Sequence, residues 1–160
     1  MTVPTPILET VLTAIKTRID TIALIGTVFT SEHAIEDEFR FARKYRDSGT
    51  GELKVWLVDV VDVPEEEGDS VGEAYSFYRI RIRFLTVLVN DPDWGKKTRQ
   101  KIEQVRDELN KNAAVFGIAG QRQLRTPETV SIVDFGRRNL GDQLYWQGEL
   151  ALTVEARRWD

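Results

Sequence analysis

The sequence predicts an α+β fold: a mixed, mainly antiparallel sheet with two main helices packed on one face and a long β-hairpin. Residues 75–89 and residues 144–157 alternate between apolar and polar side chains, which is the pattern of strands with one buried face. Residues 6–20 and 93–116 instead repeat apolar residues at helical spacing. Two helices are too few for the crossovers of a doubly wound parallel sheet, so antiparallel pairing is favoured.

Local signals place the ends of both helices. The first is predicted to begin at Thr5 and Pro6, which are typical N-cap and first-turn residues. The second is predicted to follow Pro92, with Asp93 as its N-cap, and to end before Gly117. The apolar faces consist of Ile7, Leu8, Val11, Leu12, Ile15 and Ile19 in the first helix, and of Trp94, Thr98, Ile102, Val105, Leu109 and Phe116 in the second.

The other strands follow from valine-rich segments and from turn residues. Residues 53–63 are rich in valine, which favours a strand, and they form a hairpin with 75–89 around an acidic loop. A shorter strand is predicted over 130–135. A turn-rich connector over 136–142 then leads into the closing strand.

Composition limits the class of protein. A chain of 160 residues, 41% of them hydrophobic, has enough apolar surface for one core, so we expect a single domain over 1–160 with 27–51 and 64–74 as mobile loops. The net charge of -4 argues against a general nucleic-acid binder. The absence of cysteine excludes disulfides and thiolate chemistry. No apolar run approaches the ~20 residues of a membrane span, and the first residues lack the pattern of a secretory signal.

No motif identifies a catalytic, metal or cofactor site, and none is predicted. His33 is the only histidine; it lies among acidic residues with no identifiable nucleophile beside it, so we interpret it as a solvated loop residue. The Gly-Thr-Gly of 49–51 lacks the Lys-Ser/Thr pair of a phosphate-binding loop. Candidate functional residues are therefore charged clusters.

Two clusters of opposite sign are predicted in the loops. The acidic run could be solvated, could bind a divalent cation weakly, or could meet a basic surface of another subunit. The basic cluster is interleaved with aromatic residues, a mixture that can bind single-stranded nucleic acid, but docking on a neighbour's acidic loop is favoured because acidic residues directly precede it. The interface residues are Glu65, Glu66, Glu67 and Asp69 in the acidic run, and Arg40, Arg43, Lys44 and Arg46 in the basic one.

Three arginines are predicted to share one face of one strand. Arg79, Arg81 and Arg83 stand two residues apart, and like charges so placed repel unless carboxylates compensate them. Glu149 and Glu155 of the closing strand are candidates for that compensation. The alternative is a guanidinium ladder that faces a partner subunit or nucleic acid. Further interface residues are predicted at the end of the closing strand: Arg157, Arg158 and Trp159.

The order and character of these elements resemble the tail terminator (tail completion) proteins of long-tailed bacteriophages. The likeness covers most of the chain: the helix over 6–20, the hairpin of 55–63 and 78–89, the helix over 93–116, and the closing strand from Leu144. The resemblance implies a structural virion protein without enzyme activity or cofactor, which forms a ring, typically a hexamer, on the tail tube. The family has no diagnostic catalytic motif, so the resemblance assigns no role to individual residues of this chain.

The same resemblance implies the partners and the location. The ring would contact the tail tube protein and a neck or head-completion protein at the head-proximal end of the virion tail, with DNA passing through its lumen without sequence specificity. Assembly in the host cytoplasm and no membrane contact are implied. Other readings stay open: a different head–tail connector or tail-associated protein, a non-viral interaction module, or a small enzyme that uses carboxylates and arginines.

Overall fold

A computed structural model describes residues 7–30, 44–67, 73–112, 116–119, 122–140 and 143–159. The α+β fold and its mixed, mostly antiparallel sheet are confirmed. The helices are α1 (Ile7–Asp20) and α2 (Trp94–Asn110). The strands are β1 (Thr27–Thr30), β2 (Leu53–Asp62), β3 (Glu65–Glu67), β4 (Glu73–Val87), β5 (Gly117–Ala119), β6 (Arg122–Arg125), β7 (Ser131–Leu140) and β8 (Gln143–Trp159).

The sheet is organised around its two longest strands. β4 and β8, of 15 and 17 residues, pair antiparallel along almost their whole length. On the far side of β4 lie β2 and, beyond it, the parallel strand β1, with β3 continuing that row. On the far side of β8, both β7 and β6 pair directly with β8, β7 with its first part and β6 near its end, and β5 pairs with β6. Both long alternating segments therefore form the centre of the sheet.

Both helices pack on one face of the sheet, which we call the inner face. Val11, Ile15 and Ile19 of α1 are buried there, as are three apolar residues of α2: Ile102, Val105 and Leu109. One close approach is at Gly148, where an added Cβ would lie 1.9 Å from Ile102 Cδ1. Only glycine therefore lets α2 pack this closely on β8. The strands contribute Trp56, Val58, Tyr78, Ile80, Ile82, Phe84, Leu150, Leu152, Val154 and Ala156 to the same core.

A second, smaller apolar cluster lies on the opposite, outer face. It occupies the end of the sheet where β2 begins and β4 ends, and Phe29, Tyr45 and Trp94 pack against it. The Phe29 and Tyr45 rings lie 4.6 Å apart. Its buried members are Leu53, Val55, Leu57, Leu85, Val87 and Tyr145.

Two segments predicted as mobile loops are partly strands. Thr27–Thr30 forms β1, because Gly26, with φ +100°, turns the chain beside Lys54 and lays the next residues parallel to β2. Glu65–Glu67 forms β3, because its backbone pairs with residues 74–76 of β4. Even side chains with low strand propensity adopt extended structure when a neighbouring strand supplies the hydrogen bonds.

The later part of the chain also differs from prediction. The second helix ends at Asn110 rather than 116, since Lys111 is extended and Asn112 has φ 53°. Phe116 is nevertheless buried, and its N–H donates to the Leu124 carbonyl. The predicted connector 136–142 is wrong as far as Leu140, because β7 continues that far against β8. The predicted N-cap Asp93 makes no side-chain capping bond. Thr5, Pro6 and His33 lie outside the described residues.

Candidate functional site

The three arginines of β4 lie on the outer face as predicted, each against a carboxylate. Arg83 Nη2 is 2.9 Å from Asp59 Oδ2, and Arg81 Nη2 is 3.7 Å from the same oxygen. Arg81 Nε is also 3.4 Å from Glu149 Oε1, so one of the two predicted compensating glutamates is confirmed. Arg79 Nη1 lies 3.2 Å from an oxygen of Asp62.

The second predicted glutamate compensates a different arginine. Glu155 receives two hydrogen bonds from Arg125 of β6, from Nε at 2.9 Å and from Nη2 at 3.0 Å. The glutamate side chain is 6% exposed and that of the arginine is 57% exposed. The hydrogen bonds and the charge of Glu155 raise the pKa of Arg125 above its ordinary value. Sequence reasoning missed Arg125 because it belongs to a strand that was not predicted.

These pairs make the outer face a lattice of alternating charge. A bidentate arginine–carboxylate contact fixes both side chains in one plane, which suits the pleated surface between neighbouring strands. The positive charge of the ladder is thus offset within the chain by Asp59, Asp62 and Glu149. The arrangement favours sheet cohesion over a continuous basic track for phosphates.

The acidic run forms the tip of the β2–β4 hairpin. Glu65, Glu66 and Glu67 are all exposed on β3, at the end of the sheet where β2 ends. Val61 and Val63, which precede them, are 63% and 37% exposed. We call residues 61–67 the hairpin tip. Asp69 lies outside the described residues.

The predicted basic cluster is only partly described. Lys44 is exposed, with Nζ 5.2 Å from the centre of the Tyr45 ring. Arg46 instead donates from Nε to the Gly51 carbonyl, which closes the turn over 47–51. Asp47 accepts the N–H groups of Gly49 and Thr50 in that turn, and these bonds lower its pKa. Arg40 and Arg43 lie outside the described residues.

The end of β8 lies beside the hairpin tip. Arg157 stands over the Tyr75 ring, 5.9 Å from its centre, and Glu66 is the partner of Tyr75 on β3. The backbones of Arg158 and Trp159 pair with Ala74 and Glu73 of β4, and the structure does not describe their side chains.

A cleft on the helix side of the sheet was not predicted. It has a volume of about 270 Å³ and lies between the first half of α2, the start of β2 and the end of β4. Lysine and glutamine side chains form one part of the wall, and apolar side chains form another. The lining residues are Leu24, Lys54, Phe84, Thr86, Leu88, Lys97, Thr98, Gln100, Lys101 and Gln104.

The lysines of this cleft differ in their surroundings. Lys97 Nζ contacts Asp91 Oδ2 at 2.5 Å, and this hydrogen bond raises the pKa of Lys97 and lowers that of Asp91. Lys101 Nζ donates to the Ala23 carbonyl at 3.0 Å. Within the described part of the chain, no salt bridge joins Lys54 or Lys101 to a carboxylate. The sequence signal that could have indicated the cleft is the basic run 96–101 at the start of a helix.

Among the described residues, no group of three or more histidine, aspartate or glutamate side chains is arranged to hold a metal ion. None of the described helices has the length and apolar character needed to cross a membrane. No protein-family model matches the chain, and a search of curated proteins finds no match either.

Proposed function

We propose that the chain is a structural, ring-forming subunit of a long-tailed bacteriophage, a tail terminator that caps the head-proximal end of the tail tube. In this role it stops tube polymerisation and offers a surface to a neck or head-completion protein. Its partners are further copies of itself and the last ring of tube subunits. The proposed role involves no enzymatic step and no cofactor.

The observation that carries the proposal is the exposed hairpin tip. A ring needs heterologous contacts, in which one surface of each subunit meets a different surface of the next. The tip presents exposed valines and three exposed glutamates at one margin of the sheet. Such a mixed apolar and charged projection is suited to a contact with another subunit, because it combines burial with charge selectivity.

The central strands support the same role. β4 and β8 have 15 and 17 residues, about three times the usual strand length of five to six. Their paired ends extend to the margin that carries the tip, where β3 of the tip pairs with β4 and β4 pairs with β8. A contact surface built on paired strands loses little conformational freedom when it binds.

Light scattering and negative-stain imaging test the proposal directly. The purified chain should be measured alone and after mixing with purified tail tubes. We expect closed rings of one subunit number, either free in solution or as added density at one end of each tube. Measuring both samples covers the case in which the tube end is the template for the ring.

Two results would contradict the proposal. One is a monomer that adds no density to tube ends. The other is an open, unlimited polymer, because a terminator has to close on itself. A closed ring that ignores tubes would favour a different head–tail connector.

A further inference from the structure

The cleft beside α2 combines three features that are unfavourable in an isolated subunit. The first is the charge of the helix. The first half of α2 carries Lys96, Lys97, Arg99 and Lys101, whereas Glu103, Asp107 and Glu108 lie in the second half. Positive charges near a helix N-terminus oppose the helix dipole, so this distribution is the reverse of the stabilising one.

The second and third features are both at Leu24. Its side chain is 83% exposed although it is a large apolar group, and its backbone has φ 58° in the left-handed region. A non-glycine residue pays steric energy there, and an exposed leucine gains nothing from burial. Leu24 borders the cleft, so the strained residue and the basic helix turn line the same cavity.

The hairpin tip has the opposite character. It offers the carboxylates of Glu65, Glu66 and Glu67, preceded by exposed Val61 and Val63. Lysines and Leu24 in the cleft, and glutamates and valines in the tip, are complementary in charge and in apolar surface. Complementary potentials of this kind select partners and their orientation.

The two surfaces belong to opposite ends of the same strand. Lys54 near the start of β2 lines the cleft, and Asp62 at its end belongs to the tip. At about 3.3 Å per residue these positions are roughly 25 Å apart along an extended strand. The paired sheet between them prevents the tip from reaching the cleft of its own chain.

We infer that the hairpin tip of one copy docks into the α2 cleft of the next copy. The contact is head-to-tail: the tip carboxylates meet Lys54, Lys97 and Lys101, and the tip valines cover Leu24. Such a heterologous contact generates a ring if the rotation closes and a filament if it does not. The closure into a ring, though not the contact, rests on the proposed function.

Charge reversal on each side tests the contact. Lys97→Glu with Lys101→Glu places acid against acid at every contact, and the opposite change, Glu66→Lys with Glu67→Lys, places base against base. We expect each double variant to weaken self-association about a hundredfold in sedimentation or light scattering. The four changes in one chain restore opposite charges at every contact, as does a mixture of the two double variants, so both should recover association.

Lys96→Glu with Arg99→Glu is the matched control. It removes the same charge from the same half of α2, but neither residue lines the cleft. We expect it to associate far more tightly than the cleft variant. Equal loss in both variants, or no loss in the cleft variant, would overturn the inference, and so would failure of the fourfold variant to recover association.

Leu24→Gly provides a second test that does not depend on charge. Glycine tolerates φ 58°, so the variant should melt at or above the temperature of the parent chain. Loss of the leucine contact should nevertheless weaken association about tenfold. Unchanged association would count against the cleft as the docking site.

Introduced cysteines separate this inference from the proposed function. The chain has no cysteine, so Glu66→Cys and Gln100→Cys in one chain can form only the disulfides that they make together or with themselves. Head-to-tail docking predicts a series of disulfide-linked multimers, which a chain with Glu66→Cys and Thr13→Cys should not form. Linked multimers that do not cap tubes would support the docking contact and reject the terminator role. Rings that cap tubes but form no linked multimers would support the terminator role and reject the docking contact.

Discussion

The outer face of the sheet and the α2 cleft both concentrate positive charge, but they place it in different surroundings. On the outer face, Arg79, Arg81, Arg83 and Arg125 each lie within 4 Å of a carboxylate of a neighbouring strand. In the cleft, Lys97 has one carboxylate partner, and the lysines at 54 and 101 have no salt bridge within the described residues. Arginine suits fixed bidentate pairs, and lysine suits a solvated charge on a flexible stem. The regular pattern of arginines is thus neutralised within the sheet, whereas the less regular pattern of lysines is available for the contact that we infer.

Removal of Arg125 tests the folding role of the outer face, and we expect it to cost more stability than the other substitutions below. Arg125→Ala leaves the Glu155 carboxylate, whose side chain is 6% exposed, without the guanidinium that binds it. Breaking a buried pair costs several kcal/mol, and the 57% exposure of Arg125 reduces this to about 2 kcal/mol of unfolding free energy. Urea denaturation followed by circular dichroism measures the loss.

The double variant Arg125→Met with Glu155→Leu is the control. It removes both charges, so most of the lost stability should return, because no buried carboxylate is left unpaired. If the unfolding free energy of Arg125→Ala is within about 0.5 kcal/mol of that of the parent chain, the pair is only a surface contact. The outer face would then not have the folding role that distinguishes it from the cleft.

Two double-mutant cycles compare the interaction energies of a more buried and a more exposed ion pair among the arginines of β4. Arg83 is 12% and Asp59 24% exposed, whereas Arg79 and Asp62 are 59% and 50% exposed. We expect a coupling energy of about 1 kcal/mol for Arg83→Met with Asp59→Asn. For Arg79→Met with Asp62→Asn we expect about 0.3 kcal/mol, because water screens the exposed pair.

Both cycles use urea denaturation, with self-association measured in parallel. Equal coupling in the two pairs would mean that burial does not set their strength. A loss of association without a loss of stability would assign the ladder to an interface, which was the alternative prediction from the sequence.

Strand periodicity predicted the sheet centre because β4 and β8 bury one face along most of their described length, so apolar side chains recur at every second residue. It missed β1, β3, β5 and β6, which have three or four residues each and are held by pairing to a neighbour rather than by their own pattern. Short edge strands carry too few residues to establish a period.

The site was less predictable than the fold for a related reason. The ladder was visible because Arg79, Arg81 and Arg83 are close in sequence, and Glu149 was a reasonable partner once the strands were expected to pair. The cleft assembles Leu24, Lys54 and Lys97 from three distant segments, and no local pattern joins them. Their convergence depends on the turn at Gly26 and on the packing of α2, which are tertiary properties.

We expect the weakest change in stability at Asp91, which contacts a lysine of the cleft and also bonds to the backbone just before α2. One of its oxygens accepts the N–H of Asp93 and the other contacts Lys97. The hydrogen bond from Lys97 is the largest cause of its lowered pKa, and the same contact raises the pKa of Lys97. The Lys97 side chain is exposed and that of Asp91 is half-buried, so water still screens the pair, and its effect on stability should be small and sensitive to pH and salt.

The sign of the pH dependence follows from the two shifts. Because the pKa of Asp91 is lowered in the folded chain, its carboxylate stabilises the fold at pH values above the unfolded pKa of about 3.9, and this stabilisation is lost as the pH falls through the folded pKa. Because the pKa of Lys97 is raised, its ammonium group stabilises the fold at pH values below the unfolded pKa of about 10.4, and this stabilisation is lost as the pH rises through the folded pKa. Asp91→Asn should therefore flatten both limbs of the melting temperature against pH. Asp93→Asn, whose side chain makes no capping bond, should keep the acid limb and most of the alkaline limb, because the charge of Asp93 is a lesser cause of the raised pKa of Lys97 than Asp91 is. Asp91→Asn should also leave self-association as tight or tighter, because it releases Lys97 for the incoming glutamates. A weaker association would mean that Asp91 belongs to the contact itself, and that the cleft is organised by folding, as the outer face is.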